Sequence, residues 1–131
     1  MDYYRDNILD HYKNPRNFGK LDTPHIENSE GNPTCGDKFN FQIILDNPSS
    51  GREAKIKEIK FTGTGCAIST ASASLLSEKV KNKTVSEVLL LKKDDVTGLL
   101  GLDLTLARLK CALLPLEVVH RGLNKFGLKR L

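Results

Sequence analysis

At 131 residues, with 39% apolar and 27% charged side chains, the chain is long enough to bury roughly two-thirds of its unfolded surface as one domain spanning 1–131, without covalent staples. Its three cysteines are an odd number, which excludes a complete disulfide framework, and no apolar run approaches the roughly 20 residues that a bilayer span needs. The formal charge of +4 comes from Lys and Arg dispersed among acids, aromatics are only 6%, and no groove-reading or base-stacking motif occurs, so an acidic protein is a better expected partner than nucleic acid.

Residues 2–13 read as an amphipathic helix capped by Asp2, with Tyr4, Ile8, Leu9 and Tyr12 along one side and Pro15 ending it. His11 falls in this helix among charged residues and reads as structural or solvated. Residues 14–34 carry Gly19, Pro24, Gly31 and Pro33 with little periodicity and read as an extended, mobile lead-in. Lys38–Leu45 alternates, with Phe39, Phe41, Ile43 and Leu45 on one face, as a half-buried strand does. Asn47–Gly51 supplies a turn. A second strand is expected from about Ala54 to Thr62, and since Ile56 and Ile59 would fall on opposite faces, a bulge or a late start is expected with it. The two strands predict an antiparallel hairpin that brings Asp37 toward Gly63-Thr64-Gly65-Cys66.

After Cys66 the small-residue run from Ala67 predicts a helix ending near Lys81, in which Ser69, Ser72 and Ser74 permit close packing. Thr84-Val85-Ser86-Glu87 has the form of a capping box and opens a third helix, and a short helical turn is expected around Asp94–Leu100. The last helix spans roughly Thr105–Phe126, with Leu106, Leu109, Leu113, Leu116 and Val119 or Leu123 as its apolar stripe. Pro115 cannot donate to the Cys111 carbonyl, so this helix is expected either to begin near residue 111 or to kink there. His120 and Gly122 read as structural.

The chemistry is concentrated at the cysteines. Asn32-Pro33-Thr34-Cys35-Gly36-Asp37 places a thiol and a carboxylate in one turn, and Gly65-Cys66 opens a helix whose unpaired N–H groups favour thiolate. Cys111 lies near the start of the last helix. Each thiol read alone is a small buried hydrophobe. Read together, with Gly36 and Gly65 beside two of them, Cys35, Asp37, Cys66 and Cys111 form a candidate Cys3Asp site for zinc or iron. Gly63-Thr64-Gly65 as a phosphate loop lacks the Lys-Ser/Thr pair such loops carry.

Several segments together resemble the U-type iron–sulfur cluster assembly family, which comprises IscU, the NifU N-terminal domain and SufU. They are Tyr4 with Asp10-His11-Tyr12 and Asn14-Pro15-Arg16-Asn17-Phe18-Gly19; Asn32–Asp37; Gly65–Ser69 with Ala71–Ser74; and Lys110-Cys111. The resemblance covers nearly the whole chain. It implies an α+β fold, a small antiparallel sheet of about three strands covered by helices, with the three cysteines clustered at one end. It also implies Cys35, Asp37, Cys66 and Cys111 as ligands of iron, a [2Fe-2S] cluster or Zn2+, with Cys111 or Cys35 as the persulfide acceptor. The implied partners are a pyridoxal-phosphate cysteine desulfurase as sulfur donor and apo iron–sulfur clients as recipients. The resemblance implies a scaffold rather than a turnover enzyme, and a monomer or weak homo-oligomer is expected; without a signal-like start or a long apolar run, the chain reads as cytoplasmic.

Two departures qualify the resemblance. Lys110 stands where IscU has His, as in SufU-like members, and Leu104-Thr105-Leu106-Ala107-Arg108 replaces the Leu-Pro-Pro-Val-Lys segment that a dedicated chaperone recognises. A roughly 20-residue insertion typical of SufU between the second and third cysteines is absent. Three readings follow: a [2Fe-2S] scaffold, a zinc-dependent sulfurtransferase, and a structural zinc module that docks on a desulfurase.

Overall fold

In the computed structural model, residues 2–33, 36–101 and 104–129 are described, the side chains of 2–4, 107, 128 and 129 excepted. The elements are α1 (Asp2–Lys13), β1 (Ile26–Asn32), β2 (Asp37–Leu45), β3 (Ile56–Thr64), α2 (Ala67–Val80), α3 (Val85–Leu89), α4 (Lys93–Leu100) and α5 (Leu106–Lys129), with a short 3-10 stretch at Pro48–Glu53. The result is the expected α+β architecture, a three-stranded antiparallel sheet in the order β1-β2-β3 with helices against it.

The alternation of β2 decides which sheet face is covered. Phe39, Phe41, Ile43 and Leu45 are all buried, and the Phe41 ring stacks on Phe61 of β3 at 5.3 Å. Burying an aromatic or branched side chain of this size contributes about 1.5–3 kcal/mol, which makes this face the core. The expected irregularity in the second strand lies where Ile44 pairs with Glu58 but Leu45 pairs with Ile56. Lys57 is skipped, and the extra residue returns both Ile56 and Ile59 to the core.

The N-terminal lead-in is not what its sequence suggests. The stretch read as a mobile lead-in contains β1, paired along its length from Ile26↔Ile43 to Asn32↔Asp37. Its sequence gives no apolar alternation because Ile26 and Asn28 alone are fully buried on it, and Asn28 is held by a hydrogen bond from Nδ2 to the Val118 carbonyl of α5 at 2.9 Å. Upstream, the Asn17 carbonyl accepts from Phe61 N at 3.0 Å and Gly19 N donates to the Phe61 carbonyl at 2.9 Å, so this segment closes the outer edge of β3.

The helices bear out most of their signals. The Thr84–Glu87 capping box is formed, with Glu87 N donating to Thr84 Oγ1 at 3.1 Å and Thr84 N to Glu87 Oε1 at 2.9 Å. α5 begins at Leu106, not near residue 111, because Thr105 caps it: Leu109 N donates to the Thr105 carbonyl at 2.8 Å, and the helix runs on through Pro115. Leu106 does not belong to the buried stripe, being 82% exposed. Burial develops along α5 from half-buried Leu109 to Ala112, Val118, Val119 and Leu123, which shows where the helix first meets its neighbours. His120 is structural, its Nε2 donating to the Val88 carbonyl at 2.8 Å, and Gly122 lies directly against Ile26 and Asn28. Among the described residues no helix is long and apolar enough to cross a membrane.

Candidate metal centre

Three elements deliver one side chain each to the same end of the sheet. Asp37 opens β2, opposite Asn32 in β1, and the turn before it is closed by Gly36 N donating to the Asn32 carbonyl at 2.8 Å. Gly36 has φ +77°, a left-handed conformation that glycine adopts without the steric cost a side chain would bring. β3 ends beside this turn, with Thr64 paired to Lys38, so the following Gly65-Cys66 is carried next to Asp37. Cys66 then caps α2: its backbone is extended (φ −75°, ψ 175°) and its sulfur accepts from Ser69 N at 3.5 Å.

The third side chain comes from α5. Ser72 Oγ on α2 donates to the Ala112 carbonyl at 2.6 Å, a buried bond that ties the two helices together one residue from Cys111. As a result a carboxylate oxygen of Asp37 and the sulfurs of Cys66 and Cys111 all lie within 4.8 Å of one another. Cys35, the remaining member of the expected set, lies outside the described residues.

The electrostatics of this cluster fit a cation. Asp37 is 4% exposed, and its Oδ2 has no hydrogen-bond partner, a costly arrangement for a buried carboxylate in the absence of a positive charge. At Cys66, burial works against the charged form, but the amides of Ser69 and Ile68 and the Ser69 hydroxyl outweigh burial and the opposing Asp37 carboxylate. They hold the thiol below its ordinary pKa. Two soft sulfur donors and one hard oxygen donor suit zinc or iron, and a thiol in the Cys35 turn would complete a four-coordinate set.

The residue-by-residue reading missed the hydroxyls that set this arrangement. Ser69 and Ser72 do more than permit close packing, since one meets the Cys66 sulfur and the other fixes α5. Ser74 accepts from Arg16 N at 2.8 Å and lies 2.7 Å from His11 Nδ1, so the Asp10–Gly19 segment is docked on the same helix. Four serines in one helix, at 69, 72, 74 and 77, are a usable signal, since hydroxyls that become buried need partners.

Residues 3–131 match the sequence model of the family described as NifU-like N terminal domain. The zinc-dependent sulfurtransferase SufU of Bacillus subtilis is 34% identical over 139 residues, covering 93% of this chain and 90% of the Bacillus protein. The iron–sulfur cluster assembly scaffold protein IscU 1 of Archaeoglobus fulgidus is 35% identical over 120 residues, covering 92% and 74%. The crystal structure of FiSufU, a SUF-system protein of Fervidobacterium islandicum AW-1, superposes with a TM-score of 0.73 at 25% identity, covering 90% of this chain and 94% of that one. With its fold, its cluster of Asp37, Cys66 and Cys111, and its similarity over nearly the whole chain in agreement, the chain belongs to the NifU-like N-terminal domain family, the U-type iron–sulfur cluster assembly proteins.

Proposed function

We propose that this protein is an assembly scaffold. It accepts sulfane sulfur as a persulfide from a pyridoxal-phosphate cysteine desulfurase, gathers iron, and holds a [2Fe-2S] cluster on Cys35, Asp37, Cys66 and Cys111 for transfer to apo-proteins. The observation that carries this reading is the buried, unpartnered Asp37 Oδ2 beside two thiols. A carboxylate is a harder and more exchangeable ligand than a thiolate, which suits a site that gives its cargo away.

Sulfur arrives by thiol exchange: a thiolate of this chain attacks the terminal sulfur of the desulfurase persulfide, the S–S bond there breaks, and the desulfurase cysteine leaves as thiolate. Cys35 or Cys111 is the acceptor, and Cys111 is only 5% exposed. Reducing the delivered sulfur to sulfide requires an external electron donor. Exposed Lys38, Arg108 and Lys110 flank the ligands in sequence and offer a basic rim to an acidic partner surface.

A zinc sulfurtransferase of the SufU kind is the second reading, favoured by the 34% identity to the Bacillus protein and by Lys110 before Cys111. Length argues for the scaffold. The Bacillus alignment spans 139 positions, more than this chain's 131 residues, so that protein carries residues absent here, whereas the archaeal IscU alignment of 120 positions fits the 92% of this chain it covers almost without gaps.

The test is anaerobic reconstitution with ferrous iron, cysteine, a thiol reductant and a cysteine desulfurase, followed by visible absorption and Mössbauer spectroscopy. The scaffold reading expects a [2Fe-2S] spectrum that passes to an apo-ferredoxin and is lost in Cys35→Ser, Cys66→Ser and Cys111→Ser. Absence of any cluster, with zinc-loaded protein instead accelerating the desulfurase and carrying a persulfide, establishes the sulfurtransferase.

A further inference from the structure

Ser69 sits in the first turn of α2, fully buried and directly beneath Cys66. Its amide donates to the Cys66 sulfur at 3.5 Å, and its hydroxyl lies 3.6 Å from the same sulfur, within reach given sulfur's larger radius. At 3.6 Å the Cys66 thiol is within reach to donate to Ser69 Oγ, while the Ser69 hydroxyl is placed to donate to the Cys66 carbonyl at 3.2 Å. That carbonyl is already satisfied, since Thr70 N donates to it at 3.0 Å. The hydroxyl proton can therefore leave the carbonyl without orphaning it. Space confirms that this hydroxyl is built into the turn: a Cβ on Gly65 would overlap Ser69 Oγ and come within 2.9 Å of the Phe39 ring, so only glycine at 65 admits the serine.

We propose that Ser69 is a positioning residue for Cys66, its amide and its hydroxyl both set against the sulfur, so that a thiolate bound to a metal there receives two hydrogen bonds from this one residue. The inference rests on the metal-ligand reading of Cys66. The thiol proton goes to solvent when the metal binds, as for any coordinating thiol, and no other bond changes. A hydrogen-bonded thiolate is a weaker electron donor. It therefore binds metal less covalently, raises the reduction potential of a cluster and eases release.

The test uses the full chain loaded with Co2+, whose sulfur-to-metal charge-transfer absorption reports directly on the thiolates, together with the potential of the reconstituted cluster. Ser69→Ala keeps the amide bond and removes the hydroxyl. It is expected to bind Co2+ with the charge-transfer band moved to lower energy, and to hold a cluster of more negative potential. Ser77→Ala serves as the control for a purely structural serine, because Ser77 is equally buried in α2 but donates to the Ser74 carbonyl at 2.7 Å. It is expected to lose stability without moving either signal. Where Ser69→Ala does not fold, Ser69→Thr and Ser69→Val carry the same comparison, the valine alone showing the shift. Coincident bands for wild type and Ser69→Ala, or for the Thr and Val pair, overturn the proposal while the metal site stands. Wild-type protein without thiolate–cobalt bands overturns the metal-site reading and this inference with it.

Discussion

Asp37 is the side chain on which the site turns. Its carboxylate is buried with one oxygen unpartnered, so the metal-free protein bears a desolvation cost that a cation bound there would relieve. Asp37→Ala is therefore expected to raise the stability of the metal-free protein by about 1–3 kcal/mol in urea unfolding. It is also expected to slow cluster transfer to an apo-ferredoxin by about tenfold, equivalent to ~1.4 kcal/mol on the barrier. Equal or faster transfer from the variant refutes the role of Asp37 as the exchangeable ligand. Asp37 and Cys66 were legible beforehand as members of one cluster, because a carboxylate beside a Cys-Gly turn and a thiol after a glycine-rich turn are local patterns. Ser69 was not, since a serine in a helix has the same sequence whether its hydroxyl meets a sulfur or a backbone carbonyl.

Among the elements, α2 is the one that both positions a thiol of the candidate site and gathers its neighbours. Its N-terminus takes Cys66 as cap, and its serine face receives His11 and Arg16 from one side and α5 from the other. Gly65→Ala is expected to cost about 1–3 kcal/mol by overpacking against Ser69 and Phe39, measured by thermal unfolding of the metal-free protein. Ser72→Ala leaves α5 without the hydroxyl bond at Ala112 and is expected to destabilise by about 1–3 kcal/mol. It is also expected to release zinc faster to a chelator, because that bond helps hold Cys111 at its distance from Cys66; an unchanged release rate refutes the link. The β2 alternation, the bulge of β3 and the Thr84 capping box were readable because each is a short periodic or paired signal. β1 was not: its partners are β2 and α5, and a strand stabilised by backbone pairing and by Asn28 reaching Val118 leaves no apolar period to read.

At the scale of the whole molecule, His11 couples the N-terminal helix to the centre. It is 4% exposed against Ser74, and burial, aided by the nearby Arg16 and opposed by Glu78 and Asp10, holds its pKa below the ordinary 6.5. The unfolded chain therefore takes up a proton at a pH where the folded one does not. The associated stability is complete above about pH 6.5 and drains away as the pH falls below it. Denaturant unfolding of the metal-free protein is expected to show this loss, and His11→Gln is expected to flatten it between pH 6.5 and 5; a profile identical to wild type refutes the assignment. Zinc removal by chelation is expected to lower the unfolding temperature of wild type, since metal binding is linked to folding, and to have less effect on Asp37→Ala.

By itself the sequence determined the β2–β3 hairpin, the Thr84 capping box, the presence of three thiols and a carboxylate with the chemistry to hold a soft metal, and the family those residues resemble; the expected Asp2 cap lies outside the described side chains. These rest on patterns a few residues long, where backbone geometry and side-chain type act directly on one another. Only the tertiary structure decided that Asp37, Cys66 and Cys111 share one site within 4.8 Å, that the lead-in is a strand, that Leu106 stands in solvent, and that one buried serine hydroxyl lies beside a sulfur while another holds a helix carbonyl. Those outcomes depend on contacts between residues tens of positions apart, and burial and register set by such contacts have no counterpart in the order of neighbouring residues.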